Sequence, residues 1–158
     1  MNIVFGVEMK PPVHKLPGFI AQLVKKTAEM AKVLDRDKQL VILSTREEAN
    51  ALQNYYQSKD VLEGFYPLIH LSQASELRSS FTDYGFTSQN NEHYLYKEMI
   101  SYFMINKGDN QQREMALLQM EEHLICKDEN LFFIDRMHIE LMEGIARAYN
   151  IELTLWSE

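Results

Sequence analysis

The sequence predicts one α/β domain over residues 1–158 with a mostly parallel sheet. Short apolar segments alternate with longer amphipathic ones, as in strand–helix–strand units. The segment 39–44 is a near-continuous run of Leu, Val and Ile, which is typical of a strand buried on both faces. A chain of 158 residues, 46% hydrophobic and 25% charged, has the size and composition of one globular domain. No internal repeat is evident.

Five segments have the apolar, β-branched or aromatic character of strands, at 2–8, 39–44, 65–71, 130–135 and 151–156. Three helices are predicted between them. The first runs over 17–34, with Pro17 in its first turn and apolar residues at helical spacing. The second begins at Ser44 and Thr45, where Glu47 and Glu48 follow three residues later as in a capping box. The third follows Asp135 and ends near residue 149.

The segment 72–129 is predicted to be a helical elaboration between the third and fourth strands. A polar stretch is followed by two predicted helices, at about 91–106 and 110–126. The first is apolar nearly all round, which indicates burial on more than one side. Its surface is expected to belong to the core, or in part to a contact with a partner protein or a second copy.

Charge and cysteine content limit the classes of partner. The formal charge of −7 argues against binding to nucleic-acid backbones. Residues 1–60 carry nine basic and seven acidic residues, whereas 61–158 carry seven and sixteen. The acidic second half is a solvated surface, a contact for a basic partner or an imitation of nucleic acid. The single cysteine, Cys126, allows no internal disulfide and is expected to be buried and inert in a reducing compartment.

Two further features of the sequence lead us to expect a cytoplasmic protein with no membrane contact. No apolar run approaches the roughly 18 residues that a membrane-spanning helix needs. The first residues lack the basic flank and the cleavage site of a signal peptide.

Polar residues follow several predicted strands. In an open parallel sheet, ligands bind at the carboxyl ends of the strands. Those ends supply Glu8, Ser44 with Thr45, His70, and Asp135 with Arg136. A helix opening at Ser44 and Thr45 would offer free amide groups to an anion. The sequence therefore predicts an anion or metal–phosphate pocket at this edge.

Five segments in order resemble the haloacid dehalogenase-like (HAD-like) superfamily. They are IVFGVEMK, LPGFIAQLVKK, QLVILSTREEANALQNYY, LEGFYPLIHLSQASELR and ENLFFIDRMHIELMEGIARAYNIELTLW. The resemblance implies a Rossmann-like three-layer fold with a five-stranded sheet ordered 3-2-1-4-5. It also implies phosphoryl chemistry with an aspartate nucleophile and Mg²⁺.

The resemblance assigns roles to particular residues. The implied metal ligands are Glu8 and Asp135. The implied phosphate-binding residues are Ser44, Thr45, Arg78 and Ser79. Two departures matter: Gly6 stands where the family has its nucleophile, and Arg136 replaces the second acid of the fourth motif. Covalent phosphoryl transfer needs a nucleophile in line with the leaving group, which Gly6 does not supply.

Three functions follow as expectations. The leading one is a catalytically impaired HAD-like protein that acts as a binding or regulatory protein. It would keep a vestigial pocket for phosphate and Mg²⁺, and its ligand would be, for instance, a phosphorylated small molecule. The second is a Mg²⁺-dependent phosphohydrolase with a non-standard site at Glu8 and Asp135. The third is an acidic inhibitor or immunity-type protein that contacts a partner through the helices of 91–126. By position, Tyr84, Phe86 and Tyr94 are expected to cover the pocket.

Overall fold

The computed structural model describes residues 1–157 and contains two compact units. The N-terminal unit comprises 2–70 and 87–92. The C-terminal unit comprises Met1, 71–86 and 93–157. Each unit has its own hydrophobic core.

The N-terminal unit has the element order βαββαβ. Its elements are β1 (Asn2–Met9), α1 (Pro17–Met30), β2 (Val33–Asp37), β3 (Leu40–Leu43), α2 (Arg46–Ser58) and β4 (Leu62–His70). The strands lie in the order β2-β3-β1-β4, and the neighbours are antiparallel. Val7 in β1 lies opposite Val41 on one side and Phe65 on the other. With Leu23 and Leu52 of the two helices, Val7 and Val41 form the core.

The C-terminal unit repeats this order after three short strands. The short strands are β5 (Glu76–Leu77), β6 (Gly85–Thr87, which ends past the unit boundary) and β7 (His93–Tyr96). The repeat comprises β8 (Ile100–Lys107), α3 (Asn110–Met120), β9 (Leu124–Asp128), β10 (Leu131–Asp135), α4 (Ile139–Ala148) and β11 (Glu152–Trp156). Short 3-10 turns lie at Phe81–Asp83, Lys97–Met99, Glu121–His123 and Arg136–His138. The sheet has the order β11-β8-β10-β9-β5 and is antiparallel throughout.

The two units therefore share one topology. Numbered within each repeat, both sheets read 4-1-3-2, the arrangement called split βαβ or ferredoxin-like. The backbone repeats in detail as well. Lys38 and Glu129 both turn the central hairpin with φ of 53° and 55°. Asp60 and Asn150 both follow the second helix with φ of 55° and 53°.

The prediction of a mostly parallel, Rossmann-like sheet ordered 3-2-1-4-5 is wrong. All five predicted strands exist, as β1, β3, β4, β10 and β11, but their neighbours run antiparallel. The cause is an additional strand after the first helix of each unit. In the N-terminal unit this strand is β2 (Val33–Asp37), which is not among the five predicted strands. Because β2 and β3 form a hairpin, β3 runs opposite to β1, whereas a simple crossover would have made them parallel.

The predicted helical elaboration over 72–129 is also wrong. Most of the apolar segment 91–106 forms β7, a 3-10 turn and β8. The helix predicted at 110–126 ends at Met120, and the chain continues into β9. Cys126 therefore lies in a strand. It is buried as expected, and burial raises the pKa of its thiol to about 12. No helix within residues 1–157 is long and apolar enough to cross a membrane.

Candidate functional site

Three strand ends meet at one end of the C-terminal sheet. Because β8 is antiparallel to β10 and to β11, its first residues lie beside the last residues of both. Ile100 lies opposite Asp135, and Tyr102 lies opposite Trp156. An open cleft of about 430 Å³ lies at this end, lined by Lys97, Glu98, Arg136 and Ser157. We call it the sheet-end cleft.

The cleft holds two cationic side chains and one carboxylate. Nη1 of Arg136 donates a hydrogen bond of 2.8 Å to the backbone oxygen of Glu98. This bond holds the guanidinium against the 3-10 turn that carries Lys97. The lining is thus locally positive, although the C-terminal unit as a whole carries seven basic and thirteen acidic residues. Cationic side chains that share one cleft attract anions.

Aromatic rings lie on β8 and β11, near the strand ends at this end of the sheet. The ring centroids of Tyr102 and Trp156 are 5.2 Å apart at an interplanar angle of 21°, so the rings stack. Tyr102 also lies 5.3 Å from Phe133, which is fully buried. Trp156 is on β11, the edge strand of this sheet, and the next residue is Ser157 of the cleft. Trp156 is therefore the chain neighbour of a residue that lines the cleft.

Asp135 is held in its ionised form at the same end. Its Oδ2 accepts a 2.7 Å hydrogen bond from the hydroxyl of Tyr84, and its Oδ1 accepts one of 2.8 Å from the amide of Met137. Burial by itself raises the pKa of Asp135. These two bonds and the nearby His138 together lower it by more than burial raises it, so the pKa lies below its usual value. The bond to Asp135, with a smaller effect of burial, raises the pKa of Tyr84 to about 12.

The predicted metal ligands, Glu8 and Asp135, lie in different units. Oε1 of Glu8 accepts a 3.0 Å hydrogen bond from the hydroxyl of Tyr66. Within residues 1–157, no three or more His, Cys, Asp or Glu side chains are grouped so that they could hold a metal ion. Glu8 and Asp135 each have a tyrosine hydroxyl as a neighbour instead.

The predicted phosphate-binding residues are also divided between the units. Thr45 caps α2: its Oγ1 accepts from the amide of Glu48 at 3.2 Å and donates to the Glu48 carboxylate at 3.1 Å. The predicted cap of α2 at Thr45 is therefore confirmed. The Glu48 carboxylate also accepts from the backbone amide of Lys32, and it lies at the helix end that an anion would use. Ser44 precedes this cap and is exposed. In the C-terminal unit, Nε of Arg78 lies 2.5 Å from Oε1 of Glu121, and Ser79 is exposed.

Sequence reasoning identified one side of the sheet-end cleft and missed the other. Asp135 and Arg136 were expected at a ligand-binding edge, and Tyr84, expected to cover a pocket, contacts Asp135. Phe86 and Tyr94 stack on each other with centroids 5.3 Å apart. Lys97 and Tyr102 were missed because their segment was interpreted as a helix, and Trp156, although it lies in a predicted strand, was not connected with the site. Alternation in ISYFMINK, with Ser101, Phe103 and Ile105 buried, is the signal that would have revealed the strand.

The chain matches no protein-family model, no curated protein and no solved structure. The resemblance to HAD-like proteins remains a prediction from short motifs, and the antiparallel sheets contradict the strand order that it implied.

Proposed function

We propose that this protein is a binding protein whose sheet-end cleft takes a small anion carrying a planar ring. The observation that carries the proposal is the placement of Arg136 and Lys97 in one cleft, at the sheet end where Tyr102 of β8 and Trp156 of β11 stack. A volume of about 430 Å³ is suitable for a nucleotide-sized ligand.

The anionic group of the ligand would contact Arg136. A guanidinium has five N–H donors in a planar fork that matches the oxygens of a phosphate or a carboxylate. One donor is used on the backbone oxygen of Glu98, which fixes the orientation of the group and leaves donors for a ligand. Lys97 adds a second positive charge in the same lining.

The ring of the ligand would stack on the indole of Trp156. Tyr102 covers one face of this indole, and Phe133 lies behind Tyr102. A ligand ring stacked on the indole would be the fourth ring in the series Phe133, Tyr102 and Trp156. Stacking of a base on an aromatic side chain contributes about 1–3 kcal/mol, enough to distinguish a ringed anion from free phosphate.

The ligand class is a small molecule and not a nucleic-acid polymer. A polymer places phosphates along a surface much wider than the cleft, and the C-terminal unit has an excess of six acidic residues over basic ones. A single anion would contact Arg136 and Lys97 without covering the acidic surface of the unit.

Trp156 is the only tryptophan, so its fluorescence reports the site directly. The probes are AMP, adenosine and inorganic phosphate, with calorimetry as a second readout. We expect AMP to change the fluorescence saturably and to bind more tightly than either fragment. Arg136→Gln should weaken AMP binding at least about tenfold, because a hydrogen bond to a charged group contributes about 1.5–3 kcal/mol.

Arg147→Gln is the matched control, since Arg147 is an exposed arginine in the last turn of α4. It should leave AMP binding unchanged. Absence of saturable binding at millimolar AMP, or equal binding by the wild type and Arg136→Gln, would contradict the proposal. Phosphate binding as tight as that of AMP would refute the role of the aromatic pair.

A further inference from the structure

The connection between β1 and α1 lines a cavity in the N-terminal unit. The cavity has a volume of about 230 Å³, and we call it the loop cavity. Leu23 of α1 and Val61, which follows α2, also line it, and they are only 2% and 3% exposed. Both side chains belong to the hydrophobic core of this unit, so the inner side of the loop cavity is apolar.

The loop cavity also has charged side chains in its lining. Within residues 1–157 these are Lys10, Lys15 and Asp60, with a net positive charge. The Lys10 ammonium lies 3.7 Å from Oδ1 of Asp60, whose side chain is 96% exposed. An ion pair this exposed contributes little, so an anion can compete with Asp60 for Lys10. The Lys15 ammonium lies 5.5 Å from the centroid of the Phe19 ring, which holds it near the start of α1.

The equivalent space in the C-terminal unit is filled by the backbone. Residues 108–109 alone join the first strand to the first helix there, whereas residues 10–16 join them in the N-terminal unit. Val61 and Ile151 are equivalent, since each follows the left-handed residue after the second helix. A β-carbon added at Gly108 would lie 2.5 Å from Cγ2 of Ile151, so the short connection packs directly on this side chain. The cavity beside Val61 is therefore a feature that the shared topology does not require.

We propose that the loop cavity binds a small aliphatic carboxylate. The carboxylate would contact Lys10 and Lys15, and the hydrocarbon part would lie on Leu23 and Val61. An apolar cavity of about 150 Å³ holds one benzene molecule, so this volume has room for roughly nine non-hydrogen atoms. Hexanoate is of this size. The loop cavity shares no lining residue with the sheet-end cleft, so the proposal is independent of the ligand proposed there.

Heteronuclear NMR of the full chain tests this site, with hexanoate, acetate and hexylamine as probes. We expect hexanoate to shift the amide signals of residues 10–16 and Val61 saturably, with a dissociation constant of about 1 mM, as a ligand of this size allows. Acetate lacks most of the hydrocarbon part and should bind at least about tenfold more weakly. Hexylamine has the same chain with the opposite charge and should bind at least about threefold more weakly. Absence of saturable shifts at tens of millimolar hexanoate would overturn the proposal, as would acetate or hexylamine binding as tightly as hexanoate.

Substitutions of the charged side chains should have effects of opposite sign. Lys15→Gln should weaken hexanoate binding about threefold, which is the size expected of an exposed ion pair. Asp60→Asn removes the competitor for Lys10 and should strengthen binding about twofold, and asparagine tolerates the left-handed conformation at this position. Lys25→Gln removes an exposed positive charge elsewhere on α1 and should bind hexanoate as the wild type does. Equal hexanoate binding by the wild type, Lys15→Gln and Asp60→Asn would refute the assignment.

Discussion

Replacing Tyr84 by phenylalanine removes the hydroxyl that donates to Asp135 and leaves the ring in place. Hydrogen bonds to a charged group contribute about 1.5–3 kcal/mol when buried. Both side chains are half-buried, so water replaces part of the lost bond. We therefore expect the free energy of unfolding at neutral pH to fall by about 1–2 kcal/mol.

The same substitution changes the pH dependence of stability. The lowered pKa of Asp135 stabilises the fold above its ordinary value of 3.8, and this contribution is lost as the pH falls through the pKa of the folded protein. Tyr84→Phe removes the larger of the two hydrogen-bond effects on that pKa. The difference in stability between wild type and variant should therefore narrow as the pH falls below 3.8.

Alkaline pH gives an independent check of this pair. The pKa of Tyr84 is raised from 10.0 to about 12 in the folded protein. The folded state holds the proton more strongly, so wild-type stability should decrease between these values as the pH rises. The Tyr84→Phe variant should not show this decrease in stability.

The assay is guanidinium denaturation followed by circular dichroism. Tyr149→Phe is the control, because it removes the same atom from a half-buried tyrosine packed on the core of the same unit. The double variant Tyr84→Phe, Asp135→Asn should lose less than the sum of the single variants, since both act on one bond. Equal effects of Tyr84→Phe and Tyr149→Phe at neutral pH would refute the reasoning, as would a difference that persists in acid.

Two further predictions concern the cores. Thr27 Oγ1 lies 2.8 Å from the backbone oxygen of Leu23 and 2.9 Å from the buried Tyr56 hydroxyl, so Thr27→Val should lower the free energy of unfolding by about 1–3 kcal/mol. Urea titrations should show that the double variant Thr27→Val, Tyr56→Phe recovers part of this loss of stability. A loss in the double variant equal to the sum of the two single losses would contradict the prediction. Burial raises the pKa of Cys126 to about 12, so iodoacetamide at about pH 8 should alkylate it only after unfolding. Rapid alkylation of the native protein would show that the thiol is accessible.

Element positions could be predicted from the sequence better than strand directions. Pro17 begins α1, and Thr45 caps α2, as the local signals indicate. These signals are carried by neighbouring residues and do not depend on the rest of the fold. The direction of β3 relative to β1 depends on whether β2 exists, and β2 is a short, charged strand with the sequence VLDRD. Such a strand has too few apolar residues to be distinguished from a turn.

The candidate site was predictable only in part for the same reason. Asp135 and Arg136 end a strongly apolar strand, so their place at a sheet end follows from local pattern. Lys97, Tyr102 and Trp156 reach that end only because β8 pairs antiparallel with β10 and β11. A pairing between distant strands leaves no local signal in any one of them.

The internal repeat was hidden because the two units conserve backbone geometry more than residue identity. Aligned on their central hairpins, 33–43 and 124–134 share Asp37 with Asp128 and Leu40 with Leu131. At most other positions the two residues differ but both suit a packed core. For example, Val41 corresponds to Phe132. The charges have diverged further. The N-terminal unit carries nine acidic and nine basic residues, and the excess of acid lies in the C-terminal unit.

The repeated backbone makes a prediction that residue identity alone would not suggest. Asp60 and Asn150 both end a helix in the left-handed region, and both donate to the carbonyl three residues earlier, at 3.1 and 3.2 Å. The following residues, Val61 and Ile151, are buried and donate to the carbonyl five residues earlier, at 2.9 and 3.0 Å. These bonds are those of a Schellman motif, whose left-handed position favours glycine.

Asp60→Gly and Asn150→Gly should therefore each raise the free energy of unfolding by about 0.5 kcal/mol, because relief of the left-handed conformation exceeds the added entropy of the unfolded chain. The gain should be somewhat larger at Asp60, since asparagine tolerates this region better than most residues. Lys59→Gly is the control: Lys59 has φ of −98°, so glycine there relieves no left-handed conformation. It adds the entropic cost, removes the contact of the Lys59 ammonium with the Tyr55 ring and should lower stability. Thermal and guanidinium denaturation should show that the free energy of unfolding rises for Asp60→Gly and falls for Lys59→Gly, although the two positions are adjacent. If Asp60→Gly destabilised the protein as much as Lys59→Gly, the two helix ends would not be under the conformational constraint that the repeat assigns to both.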